Sequence, residues 1–179
     1  MKPLFTFLFI LGTILGNPDY CKVNIGELEF LQPVGFEITN TWAENGVLSM
    51  FETASGNGMD ILIDKKTVDK TVKVSSDGLD DKILSIRNEW SNSIINEEKL
   101  AEGGHVFRIR NASKIQPVDT IILVPKQSFI IEAYLMKTGD LKTHSAFEDK
   151  ALEILRSIEQ GGSDEKRAES CFRGLLLSF

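Results

Sequence analysis

The chain has 179 residues, 42% of them hydrophobic and 26% charged, which fits one globular domain large enough to bury a core without staples. Its net charge of −6, with no basic stripe, argues against a nucleic-acid binder and against attraction to an anionic membrane surface. There are no internal repeats or low-complexity blocks, and the charge suits solubility or a cationic partner.

Residues 1–16 read as a secretory signal peptide. Met1-Lys2 is a minimal basic start, Leu4 to Leu15 is apolar, Gly16 is a small residue at the cut, and the run is shorter than the roughly 20 residues a spanning helix needs. Residues 17–160 then form a single domain, secreted or periplasmic. Cys21 and Cys171 are the only cysteines. In an oxidising compartment they can pair, and otherwise they are two thiols without a role. Pro18-Asp19-Tyr20 lacks the small and aliphatic residues of a lipoprotein cleavage site, which disfavours a lipid on Cys21.

Two short strands follow across Glu27–Pro33 and Val34–Thr39, separated by a Pro-Val-Gly bend. Trp42 comes next, and the Asn45-Gly46 turn opens a strand at Val47–Glu52. Met59, Ile61 and Ile63 alternate with Asp60, Leu62 and Asp64 as a further strand with one buried face. Asp64 to Asp77 reads as a polar loop with an edge strand at Lys70–Val74.

Leu79, Ile83, Ile86, Trp90 and Ile94 share one helical face, which predicts a helix from Leu79 to about Asn96, capped by Ser76 or Asp77 and ended by Gly103-Gly104. The strand His105–Arg110 places Phe107 and Ile109 opposite Arg108 and Arg110. Asp119–Val124 and Phe129–Met136, joined by Pro125-Lys-Gln-Ser128, form a central hairpin. In it Phe129, Ile131, Ala133 and Leu135 fill one face, and Glu132 and Tyr134 mark the other. Phe147, Ala151, Ile154 or Leu155, and Ile158 are the apolar stripe of a closing helix, capped by Ser145 with Glu148 at its third position. Residues 161–179 form a charged then apolar tail, flexible or a short helix, and the one segment suited to touching a membrane.

This order, βββ-α-βββ-α, predicts an α+β fold in which an antiparallel sheet is covered by two main helices. Pro33-Val-Gly-Phe-Glu-Ile38 with Trp42 behind it, the Gly103-Gly104 step, and Phe147 to Leu155-Arg-Ser-Ile158 resemble the PsbP-like superfamily, which includes exported bacterial proteins of the DcrB type. The resemblance spans about Leu28 to Ile158. It implies action by binding, as assembly factor, stabilising subunit or adaptor, without a shared catalytic set.

No residue pattern here supplies catalysis, a cofactor site or a metal site. The Ser76-Asp77-Gly78-Leu79-Asp80-Asp81 run lacks the ligand spacing of a calcium loop and reads as helix capping. Asn111-Ala-Ser113 is a glycosylation sequon, relevant in a eukaryotic source. The leading expectation is a non-enzymatic binding or adaptor protein acting on a protein partner or cell-envelope component, with Trp42, Glu132 and Tyr134 as candidate binding residues. The alternatives are a small-ligand carrier with an apolar pocket, and a hydrolase using His144 or His105 with nearby carboxylates.

Overall fold

A computed structural model of the chain describes residues 20–25, 28–40, 47–63, 76–110, 118–137 and 141–160. The signal segment, Trp42, the expected edge strand at 70–74, the sequon and the tail lie outside these residues. Strands β1 (Tyr20–Ile25), β2 (Leu28–Pro33), β3 (Phe36–Asn40), β4 (Val47–Glu52) and β5 (Gly58–Ile63) precede helix α1 (Ser76–Glu89). Strands β6 (Ile94–Lys99), β7 (His105–Ile109), β8 (Val118–Pro125) and β9 (Ile130–Met136) precede helix α2 (Leu141–Ser157), and β10 (Glu159–Gln160) closes the described chain.

The architecture is α+β with antiparallel pairing throughout. A seven-stranded sheet runs β3-β4-β5-β9-β8-β7-β6, and a second sheet of three strands runs β1-β2-β10. The expected hairpin is therefore central, with β9 the middle strand, and the single expected sheet is accompanied by a smaller one. The bend between β2 and β3 makes the division. Pro33 ends β2, Gly35 adopts φ +91°, a left-handed conformation open to glycine, and the chain passes from the small sheet to the large one.

Period-two alternation sorts the large sheet's side chains to two cores. Ile122, Val124, Ile131, Ala133 and Leu135 pack with Phe147, Ala151, Ile154 and Leu155 of α2 and with Val23, Leu28 and Phe30 of the small sheet. Phe36 and Phe147 stack with centroids 5.9 Å apart. On the opposite face, Phe107, Ile109, Ile121, Leu123 and Ile130 pack with Ile83 and Ile86 of α1. Leu79, Trp90, Ile94 and Tyr134 lie at the rim of that second core.

Four expectations are corrected. Helix α1 stops at Glu89, and Ile94–Lys99 is the edge strand β6. The amides of Ser93 and Ile94 both donate to the Trp90 carbonyl, and this turn lets Ile94 reach the same core from a strand that a longer helix would have reached. The spacing alone could not separate the two. Gly103 and Gly104 consequently turn a hairpin between β6 and β7 instead of ending a helix: Gly103 has φ +92°, and a Cβ on Gly104 would meet the Leu123 carbonyl oxygen at 2.2 Å. Helix α2 begins at Leu141, so Ser145 lies inside it and does not cap it. Finally, residues 20–25, given no element from sequence, form β1, in full register with β2.

Candidate functional site

The densest polar arrangement lies where α2 crosses the ends of β7, β8 and β9. Arg108 and Thr120 are cross-strand partners, so both side chains rise from the same face as Val106 and Ile122, toward α2. The register between β8 and β9 shifts between Val118 and Thr120, leaving Asp119 as the extra residue of a bulge. A bulge re-aims its side chain. The Asp119 carboxylate accepts the Lys137 amide at 3.2 Å and lies 3.5 Å from Lys137 Nζ.

Lys137 Nζ also donates to Thr120 Oγ1 at 2.8 Å and to Glu148 Oε2 at 3.0 Å. Glu148 Oε1 accepts from Arg108 Nη2 at 2.5 Å, and the same nitrogen reaches Glu98 Oε2 at 3.0 Å. Charges thus alternate from Glu98 through Arg108, Glu148 and Lys137 to Asp119. The inner members are sealed: side-chain exposure is 6% for Lys137 and 10% for Glu148.

Burial and pairing act in opposite senses on the two carboxylates. Burial works to raise Glu148, yet hydrogen bonds from Arg108 and Lys137 outweigh it and hold the carboxyl below its usual range. Burial also dominates at Asp119 and there it prevails, pushing the carboxyl up against the opposing pull of Lys137. His144, one turn before Glu148, also draws Asp119 downward by its charge, and its Nε2 is buried without a hydrogen-bond partner.

The α1 face carries smaller constellations. Lys82 of α1 donates to Glu132 Oε2 at 2.7 Å, and the Tyr134 hydroxyl donates to the other oxygen of the same carboxylate. Burial first, then this bond to Glu132, push the Tyr134 hydroxyl's pKa above its ordinary value. Arg87 pairs with Glu97 at 2.6 Å, and His105 Nδ1 contacts the same Glu97 at 2.9 Å while its ring stacks on Phe107.

The structure therefore brings Glu132 and Tyr134 together, but beneath α1. It separates His105 and His144 to opposite faces of the sheet, each beside a carboxylate. Thr120 Oγ1 lies beside the Lys137 amine at 2.8 Å, but Thr120 is completely buried and that amine is already held by Glu148. Among the described residues no three His, Cys, Asp or Glu side chains converge on a metal position. Cys21 is held in a disulfide, and Cys171 lies outside the described residues.

Sequence reasoning missed Arg108, Asp119, Thr120 and Lys137 as a group. The only local signal was the polar pair Asp119-Thr120 opening an otherwise apolar strand.

The sequence matches no protein-family model and no relative among the curated proteins. In structure the chain is similar to the solution structure of cyanobacterial PsbP (CyanoP) from Synechocystis sp. PCC 6803, at 12% identity and a TM-score of 0.46, over 89% of this chain and 99% of that one. The likeness lies in overall fold, and it carries no side-chain chemistry to this chain.

Proposed function

We propose that this is an exported, non-enzymatic binding protein that engages a protein partner or a cell-envelope component. The observation that carries this reading is how its interior charges are used. Arg108, Lys137, Glu148 and Asp119 neutralise one another beneath α2, where they fasten helix to sheet, and the central pair, Lys137 and Glu148, is closed to a substrate. No helix of the described residues is long and apolar enough to cross a membrane.

The surface best suited to a partner is the β6 edge. This strand ends the large sheet, so its outer amides and carbonyls have no strand beside them among the described residues. Ile95, at its bulge, is 59% exposed, and Leu84 on α1 is 56% exposed. Arg87, one turn after Leu84, bonds to Glu97 of β6 and so joins the helix to this edge.

Chemical cross-linking of the full chain in envelope extract tests the proposal. A reproducible partner is expected whose yield falls several-fold with Ile95→Asp or Leu84→Asp. Turnover of a small substrate that disappears in the His105→Ala/His144→Ala double variant, with folding intact, would overturn it.

A further inference from the structure

We infer that His144 is a proton-operated latch: on gaining a proton, its imidazole donates from Nε2 to the Asp119 carboxylate and fastens the first turn of α2 to the bulge of β8.

The reason lies in the charges of the row beneath α2. Glu98, Arg108, Glu148, Lys137 and Asp119 alternate in sign, so with all five ionised the row sets three carboxylates against two cations. Its two ends meet this shortage differently. The Glu98 side chain is 55% exposed and rests in water, whereas that of Asp119 is 25% exposed. Asp119 Oδ2 accepts the Lys137 amide, but Oδ1 is buried, 3.5 Å from Lys137 Nζ, and accepts no hydrogen bond. Burial pushes this carboxyl up against the opposing pull of Lys137 and Thr120. The inner end of the row therefore lacks a donor.

His144 is placed to supply one. It lies four residues before Glu148 on α2, so the two side chains share a face, and helical side chains lean toward the start of their helix. That direction leads from Glu148, which holds Lys137, to the place where only three residues join Lys137 to Leu141. His144 Nε2 is buried without a hydrogen-bond partner, and the positive charge of the ring acts on the Asp119 carboxylate. One unbonded polar atom thus stands on each of the two elements that meet here. A neutral imidazole carries a single N–H and can present Nε2 to the carboxylate as a second acceptor, whereas the imidazolium donates from both nitrogens. Its proton also supplies the missing charge, and three cations then alternate with three carboxylates.

The other groups of the cluster make the latch depend on Asp119. Glu148 on α2 favours the imidazolium. Lys137 at the end of β9, Arg108 on β7 and the positive end of the α2 dipole oppose it. Without the Asp119 carboxylate the opposing charges prevail.

Amide hydrogen exchange of the full chain, expressed as protection over the intrinsic rate, tests this between about pH 8 and about pH 5, the range over which histidine changes charge. Protection of Ser145 to Asp149 is expected to rise roughly tenfold on acidification, the lower end for a charge-assisted hydrogen bond because the helix dipole opposes it. The amides of Ile83 and Ile86 on α1 serve as the control and should not rise with them. His144→Gln and Asp119→Asn should each abolish the rise. In the wild-type protein at the acid end, nitrogen-edited NMR should show a His144 Nε2 proton protected from solvent. A rise that survives in His144→Gln would belong to Asp119 alone and overturn the latch. So would an Nε2 without a protected proton in acid, or equal protection of Ser145 to Asp149 at both ends of the range.

Discussion

The two faces of the seven-stranded sheet hold their helices by different physics. Helix α2 is fastened along its length: Lys150 to Glu52 of β4 at 2.5 Å, Tyr20 of β1 to Glu153, Ser157 Oγ to the Leu31 amide at 2.9 Å, and Glu148 into the buried charge row. It also shares a core with both sheets. Helix α1 meets one sheet only, over a smaller apolar cluster, and its ion pairs through Lys82 and Arg87 have 39% and 50% of those basic side chains exposed. A charge pair sealed from water binds the structure strongly once formed and punishes the loss of either partner; an exposed pair does neither.

The sharpest way to break this comparison is Lys137→Met. It strips one partner from Glu148 and the lysine from Asp119, and should cost about 3–5 kcal/mol in urea unfolding. Lys137→Met/Glu148→Leu should recover part of that loss, because the more deeply buried of the two carboxylates left without the amine is then gone. If Lys137→Met costs no more than Lys82→Met on the α1 face, the two faces do not differ as argued.

Tyr134→Phe removes a hydroxyl that donates to a carboxylate, a loss of about 1.5–3 kcal/mol, toward the lower end because Glu132 keeps Lys82. Thermal unfolding will show it.

Acid titration separates the two carboxylates of the charge row by sign. Glu148 is held low in the folded chain, so its stabilisation is present at neutral pH and is lost as pH falls through that lowered value. Asp119 is raised, so the folded state takes its proton before the unfolded state does, and stability rises as pH falls through the raised value. Asp119→Asn should abolish the shallow rise in stability on mild acidification and leave the later acid loss in place. A stability–pH curve unchanged in that variant would show that Asp119 does not titrate as its burial implies.

The smallest effect expected is that of Arg87→Ala. Its bond to Glu97 is bidentate but exposed, and the loss should stay below about 1 kcal/mol and shrink in added salt.

Much of the framework could be read in the sequence. The β8–β9 hairpin was legible because Ile131, Ala133 and Leu135 alternate with Glu132 and Tyr134, and the structure buries the first set against α2 as the alternation requires. The stripe of α2 was legible for the same reason at helical spacing. The end of α1 was not, because Ile94 satisfies helical spacing after Trp90 while also fitting the first position of an edge strand whose remaining residues are polar. The cluster of Arg108, Asp119, Lys137 and Glu148 was hidden more deeply. Its members are 11 to 40 residues apart where they bond, and Arg108 was legible only as a polar residue opposite Phe107.

By itself, then, the sequence determined the class of the two helices and of β2–β5 and β7–β9, and the side that β5, β9 and the helices present to the core, since periodicity is a local property and burial selects it residue by residue. Only the tertiary structure decided the rest. It parted β1, β2 and β10 from the large sheet, placed Glu132 and Tyr134 beneath α1, and turned four scattered charges into a row under α2 whose centre is sealed. Those outcomes depend on distances between residues far apart in the chain, and on a bulge at Asp119 that arises only when two strands are paired out of step.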